Sequence, residues 1–153
     1  MTITLDAIKA EHAKVAEMIA LFEAQSSETT EIHFPEFLVE LKHGEEYAGL
    51  IVGKDGETSY NLVLIPGQAD SINWPDANAW AVKQGGELPT RREQSLLFAN
   101  LKEQFEEAYY WSGEQHASAS DYAWFQSFGY GDQSYGITYY ELRARAVRRL
   151  TIQ

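Results

Sequence analysis

Gly85-Gly86-Glu87-Leu88-Pro89-Thr90-Arg91-Arg92-Glu93 ends one helix and opens another. The paired glycines stop a helix because glycine enters the left-handed region without strain. Thr90 with Glu93 three residues on is a capping box, each side chain able to satisfy a free backbone N–H of the first turn. Leu96, Leu97, Leu101 and Phe105 then give the second helix an apolar face. Upstream, Asn73 can cap the first helix, with Pro75 near its start, Asp76 at the third position, and Ala77, Trp80 and Ala81 along it.

Downstream come three strand-like runs: residues 108–113, 122–128 and 142–148. The first two are aromatic. The loops between them, 116–121 and 129–136, are rich in Gly, Ser, Asp and Gln, and three glycines exclude a helix from the second. Residues 142–150 fit a helix by composition and a strand by the alternation of Arg143 and Arg145 with Leu142, Ala144 and Ala146. Before the helices, residues 37–41, 47–52 and 60–65 read as strands. Asp55-Gly56 supplies a hairpin turn between the last two, and Pro66-Gly67 ends the second arm.

Residues 4–24 read as an amphipathic helix, capped by Thr4 and with Asp6 in its first turn. Leu5, Ile8, Val15, Met18, Ile19 and Phe22 fall near one stripe, and Ile8, Val15 and Phe22 are seven apart. Packing on its own domain and self-association through Leu5–Phe22 are both open for this stripe. A polar stretch follows, so the chain divides into an N-terminal helix (1–25), a linker (26–33) and a domain (34–153).

The composition narrows the function. The 153 residues suit one ordinary domain, and 44% apolar content argues against disorder. There is no cysteine, hence no disulfide, no thiolate nucleophile and no cysteine metal site. No run of about 18 apolar residues is present, and the charges of residues 6–17 argue against a signal peptide or membrane span. A net charge of -11 disfavours direct nucleic-acid binding. Residues 1–90 carry 15 acidic and 5 basic side chains, while Arg143, Arg145, Arg148 and Arg149 cluster near the end. An acidic surface keeps a protein soluble, and it can also imitate a phosphate backbone.

Residues 86–93, then Tyr110-Trp111-Ser112-Gly113, then Ala123-Trp124-Phe125, then Arg145-Ala146-Val147-Arg148 resemble the ordered motifs of the Lcl-C-like family, named after the C-terminal domain of a bacterial collagen-like adhesin. The match spans residues 72–150, and the whole chain resembles small proteins encoded in tailed phages and prophages. The resemblance implies an α+β, C-type-lectin-like fold, with two helices flanking twisted antiparallel strands. Trp80, Thr90, Glu93, Trp111, Trp124, Arg145 and Arg148 would then be structural, Arg145 and Arg148 by pairing with acids or stacking on Trp. The related formylglycine-generating enzymes need redox-active cysteines, which this chain lacks, so no enzyme activity and no cofactor are expected. The sugar-binding calcium motifs of true lectins are absent too. Asp121, Asp132 and Glu141 are too few oxygens for calcium, and no metal site is expected.

His12, His33, His43 and His116 show no ligand spacing. Residues 129–140 form the expected binding loop, with Tyr130, Asp132, Gln133, Tyr135, Tyr139 and Tyr140 combining rigid rings and adaptable hydrogen bonders. Two of its four tyrosines completing the core is the competing reading. The expected function is a non-catalytic phage or prophage recognition module for a protein or glycan, located in the host cytoplasm or on the virion. The alternatives are an acidic inhibitor of a host defence or DNA-processing protein, and a minor virion component.

Overall fold

The computed structural model describes residues 2–26, 33 and 36–152. Residues 1–36 and 37–153 form two compact units. The first contains α1 (Leu5–Ser26), whose opening turn is capped by Thr4, its Oγ1 accepting from the Ala7 N–H at 3.2 Å. Residues 2–25 are all exposed. Most of the expected linker, 27–32, lies outside the described residues.

The second unit is α+β. Its three-stranded sheet runs β1 (Glu46–Ile51), β2 (Tyr60–Leu64), β8 (Val147–Thr151). Its five-stranded sheet runs β3 (Ala69–Ile72), β7 (Leu142–Ala144), β4 (Tyr109–Gln115), β5 (Tyr122–Ser127), β6 (Gln133–Ile137). Pairing is antiparallel except between β4 and β7. α2 (Trp74–Lys83) and α3 (Arg91–Leu101) lie between β3 and β4 in the chain.

The local signals around residue 90 act as expected. Asn73 Oδ1 accepts from the Asp76 N–H, while the Asp76 carboxylate accepts from the Asn73 side-chain amide. At the other end of α2, the Gly86 N–H reaches Ala81 O and the Gly85 N–H reaches Val82 O, with Gly85 at φ 88°. That pair of bonds closes a helix around a left-handed residue. Both halves of the Thr90–Glu93 capping box are formed. Asp55 (φ 52°) and Gly56 (φ 88°) make the expected β1–β2 turn.

α3 packs between the two sheets. Leu97 and Leu101 meet Ala48 and Ile51 of β1, Leu62 and Leu64 of β2, Tyr110 of β4, and Phe128 and Val147. A second core lies under α2, where Ala77 and Ala81 meet Ile65, Leu88, Trp111, Ala123, Ala144 and Ala146, with Trp80 partly buried against it. Trp111 is fully buried and donates from Nε1 to Ile72 O at 2.9 Å.

Four expectations need correction. Residues 37–41 are not a strand; Leu38 and Leu41 are exposed, and the Glu40 carbonyl is taken by the Arg148 guanidinium rather than by a neighbouring strand. Phe105 packs on the first core from beyond α3, after a short 3₁₀ turn at Lys102–Gln104. Residues 129–140 are not one loop, because β6 occupies their middle. The last strand is two strands: β7 ends in the large sheet, and β8 begins in the small one. β3 went unanticipated, since Asp70 and Ser71 interrupt any apolar alternation.

The C-terminal arginines hold the unit together. Arg143 pairs with Asp70 and Glu106, each at 2.9 Å. Arg149 pairs with Glu93 and Glu87. Arg148 grips Glu45 in a bidentate pair, both bonds 2.7 Å, with the Glu45 side chain almost fully buried. Arg145 departs from expectation: it donates to the carbonyls of Gln104 and Ile65, and its guanidinium lies 5.3 Å from the Phe105 ring, not on a Trp. Burial lowers its pKa from the usual value.

The Arg148 hydrogen bonds hold the Glu45 carboxyl below its ordinary value of 4.5, against the opposing effect of burial. A carboxylate with a depressed folded-state pKa contributes stability that is full above the ordinary value and is lost as pH falls through the depressed one. Glu45→Gln should therefore flatten the acid side of the urea-stability profile below pH 4.5. An unchanged acid limb in the variant contradicts this.

Candidate recognition surface

Alternation along β5 places Tyr122, Trp124 and Gln126 on one face of the large sheet and Ala123 and Phe125 on the other. In the β5–β6 register Trp124 stands opposite Tyr135, and Gln126 opposite Gln133. α3 covers the Gln126 end of this face: Gln126 Nε2 donates to Gln94 O at 3.2 Å, and Gln94 Nε2 donates to Tyr110 O at 2.9 Å. The helix begins at Arg91. Beyond that residue the sheet face continues as a group of rings.

His116 follows β4 and stacks on Trp124, with centroids 5.6 Å apart and planes at 18°. Tyr135 lies 4.5 Å from His116 and 5.1 Å from Trp124, and Tyr122 meets Tyr135 at 6.0 Å. The Arg91 guanidinium sits 3.5 Å above the Trp124 ring, close enough for cation–π attraction. Tyr135 is 48% exposed; the other four side chains are half-buried. The rings are thus braced by one another yet still reach solvent.

Arg91 is held from below. Gln133 Oε1 accepts from Arg91 Nε at 3.1 Å, and Gln133 Nε2 donates to Arg91 O at 2.6 Å and to Gln126 Oε1 at 2.8 Å. Glu114 Oε2 accepts from the Arg91 backbone N–H at 2.6 Å, placing a carboxylate at the positive end of α3. Gln133 thus holds the guanidinium over the indole, while Gln133 and Glu114 together fix the Arg91 backbone.

β6 is an edge strand. Ser127 N donates to Asp132 O, and Thr138 N donates to Asp121 O. Alternation between these bonded pairs turns the backbone groups of Gln133 and Tyr135 away from β5, toward the open edge, whereas the Ile137 carbonyl accepts from the Tyr140 N–H. Such an edge can accept an extended peptide strand.

The residues expected to form one binding loop are thereby dispersed. Tyr130 lies in the turn before β6 and is 89% exposed; Tyr139 and Tyr140 lie in the turn after it. The strand between them spans about 17 Å. Space beside Gly136 is filled by Phe125 and Tyr140, which puts Tyr140 on the face opposite Tyr135. Gln133 braces Arg91, and the Asp132 carbonyl closes a turn. All four tyrosines are exposed, so none completes the core. Trp124, expected to be structural, is half-buried within this group of rings.

Sequence reasoning missed His116 and Tyr122 as neighbours of Tyr135, and Arg91 as the cation on Trp124. Period-two alternation in residues 122–125 did carry a signal, separating Trp124 from Phe125. A cleft of about 360 Å³ lined by Asn78, Val82, Glu87, Leu88, Thr90, Gly113 and Arg149 also opens nearby, but its two charged groups pair with each other.

Among the described residues, no three His, Asp or Glu side chains converge as metal ligands. No described helix is long and apolar enough to cross a membrane. Compared with protein families and with curated proteins, the chain matches no family model and no individual relative.

Proposed function

We propose that residues 37–153 are a non-catalytic recognition module that binds a protein or glycan through the face formed by Trp124, Tyr135, His116, Tyr122 and Arg91. The observation that carries this reading is the pre-positioned, solvent-reaching ring cluster with a guanidinium stacked on it. Trp, Tyr and Arg are the side chains that most often dominate binding energy, and rigid placement reduces the entropy lost on association. A C-type-lectin-like assignment is supported by two capped helices followed by antiparallel strands, with the final strand returning beside β2. The motif resemblance supports a phage or prophage setting.

Binding is measured on glycan arrays and by capture from host lysate, followed by affinity measurement on what is retained. Tyr135→Ala should weaken binding by at least about 2 kcal/mol, roughly 30-fold, without loss of fold. Tyr139→Ala should leave affinity unchanged. Loss of binding on Tyr130→Ala with retention on Tyr135→Ala would move recognition to the preceding turn and defeat the assignment.

A further inference from the structure

Along α1 the side chains of Leu5, Ile8, His12, Val15, Ile19 and Phe22 recur at alternating steps of three and four. In a coiled coil this places Leu5, His12 and Ile19 at one seam position and Ile8, Val15 and Phe22 at the other. None of Asp6, Lys9, Glu11, Lys14, Glu17 and Glu23 stands on that seam. Its five apolar side chains and the adjacent Met18 are each at least 53% exposed. At on the order of 100 Å² apiece, they approach the roughly 800 Å² per partner that stable interfaces bury.

The identity of the residues indicates how many helices meet. Two-stranded parallel coils favour β-branched residues at the first seam position and Leu at the second. Here the branched Ile8 and Val15 occupy the second, with Leu5 at the first, a pattern that shifts preference to three or four strands. Ala16 and Met18 flank the seam and widen its apolar face, which larger bundles bury more fully. In a parallel arrangement Glu11 faces Ala16 of the next helix and Met18 faces Glu23, so like charges do not meet. We propose that α1 joins the α1 helices of other copies of this chain in a parallel bundle of three or four. His12, the lone polar residue among the six, would fix the register at some cost in stability. Each copy would carry one recognition face, and several faces on one particle raise avidity.

Light scattering coupled to size-exclusion chromatography on the full chain tests this. The expected mass is three or four times 17.3 kDa. A monomer or a dimer overturns the proposal. Val15→Asp, on the seam, should reduce the mass to that of one chain, whereas Lys14→Asp, off the seam, should leave it unchanged; equal behaviour of the two variants also overturns it. Because the chain has no cysteine, Leu5→Cys gives a clean test of direction. Parallel helices bring the new thiols together, so mild oxidation should yield disulfide-linked pairs. Failure to cross-link contradicts the parallel arrangement.

Discussion

Glu93→Ala should lower the unfolding free energy by about 3 kcal/mol, because it leaves the Tyr60 hydroxyl and the Thr90 N–H without their acceptor and takes from half-buried Arg149 one of its two carboxylates. The Glu93 side chain is inaccessible to solvent. Its carboxylate accepts from Arg149 Nε at 2.6 Å and Nη2 at 2.9 Å, from the Tyr60 hydroxyl at 2.6 Å, and from the Thr90 N–H at 2.8 Å. One side chain therefore ties the start of α3 to β2 and β8. Burial pushes its pKa up, while the hydrogen bonds from Tyr60 and Thr90 oppose that shift. The Tyr60 hydroxyl is pushed up to about 12, first by burial and then by the neighbouring Glu93. Tyr60→Phe removes one of these bonds and should cost about 1–2 kcal/mol; Thr90→Ala removes the cap and should cost about 1 kcal/mol. Urea unfolding followed by circular dichroism ranks the three. A Glu93→Ala loss no greater than that of Thr90→Ala would show that the capping box, not the buried pair, carries the effect. If Glu93→Ala fails to fold, Tyr60→Phe still tests the network.

Trp111→Ala should cost about 3–5 kcal/mol, and the same substitution at Trp124 much less. Both tryptophans lie mid-strand, but on different layers. Trp111 is fully buried beneath α2, edge-on to Phe125 at 6.1 Å, with its indole N–H on Ile72 O. Its removal leaves a cavity and an unpaired carbonyl. Trp124 is half-buried and covered mainly by Arg91, His116 and Tyr135, groups that can resettle. Equal losses at the two positions, measured by the same unfolding experiment, would mean that Trp124 is a core residue and would undercut its proposed role.

The parts of this fold legible in the sequence are those fixed by short-range chemistry. Asn73, Gly85, Thr90 with Glu93, and Asp55-Gly56 act on backbone groups within a few residues, so their identity sufficed to place α2, α3 and the first hairpin. Sheet partnership depends on distant residues. Nothing near Leu142–Thr151 indicates that the chain leaves one sheet at Ala144 and enters the other at Val147. β3 and β6 escaped for a related reason: each is short, polar and at a sheet edge, where apolar alternation is not required. The site was half legible. Tyr135 stood out by composition, but the rest of its group comes from positions 91, 116, 122 and 124, and only the β5–β6 register and the start of α3 bring them together. Glycines and polar residues around Tyr130 and Tyr139 suggested one recognition loop where the chain instead forms two turns flanking a strand.

The most direct measurement is a ¹⁵N–¹H spectrum of the four tryptophan indoles as the retained glycan or lysate fraction is added to the full chain. The Trp74 and Trp111 indole N–H groups are held by Ser112 O and Ile72 O, which makes them internal references. The account predicts that the Trp124 indole resonance shifts on binding while those of Trp74 and Trp111 stay in place. Saturable binding that leaves the Trp124 resonance unmoved would contradict it.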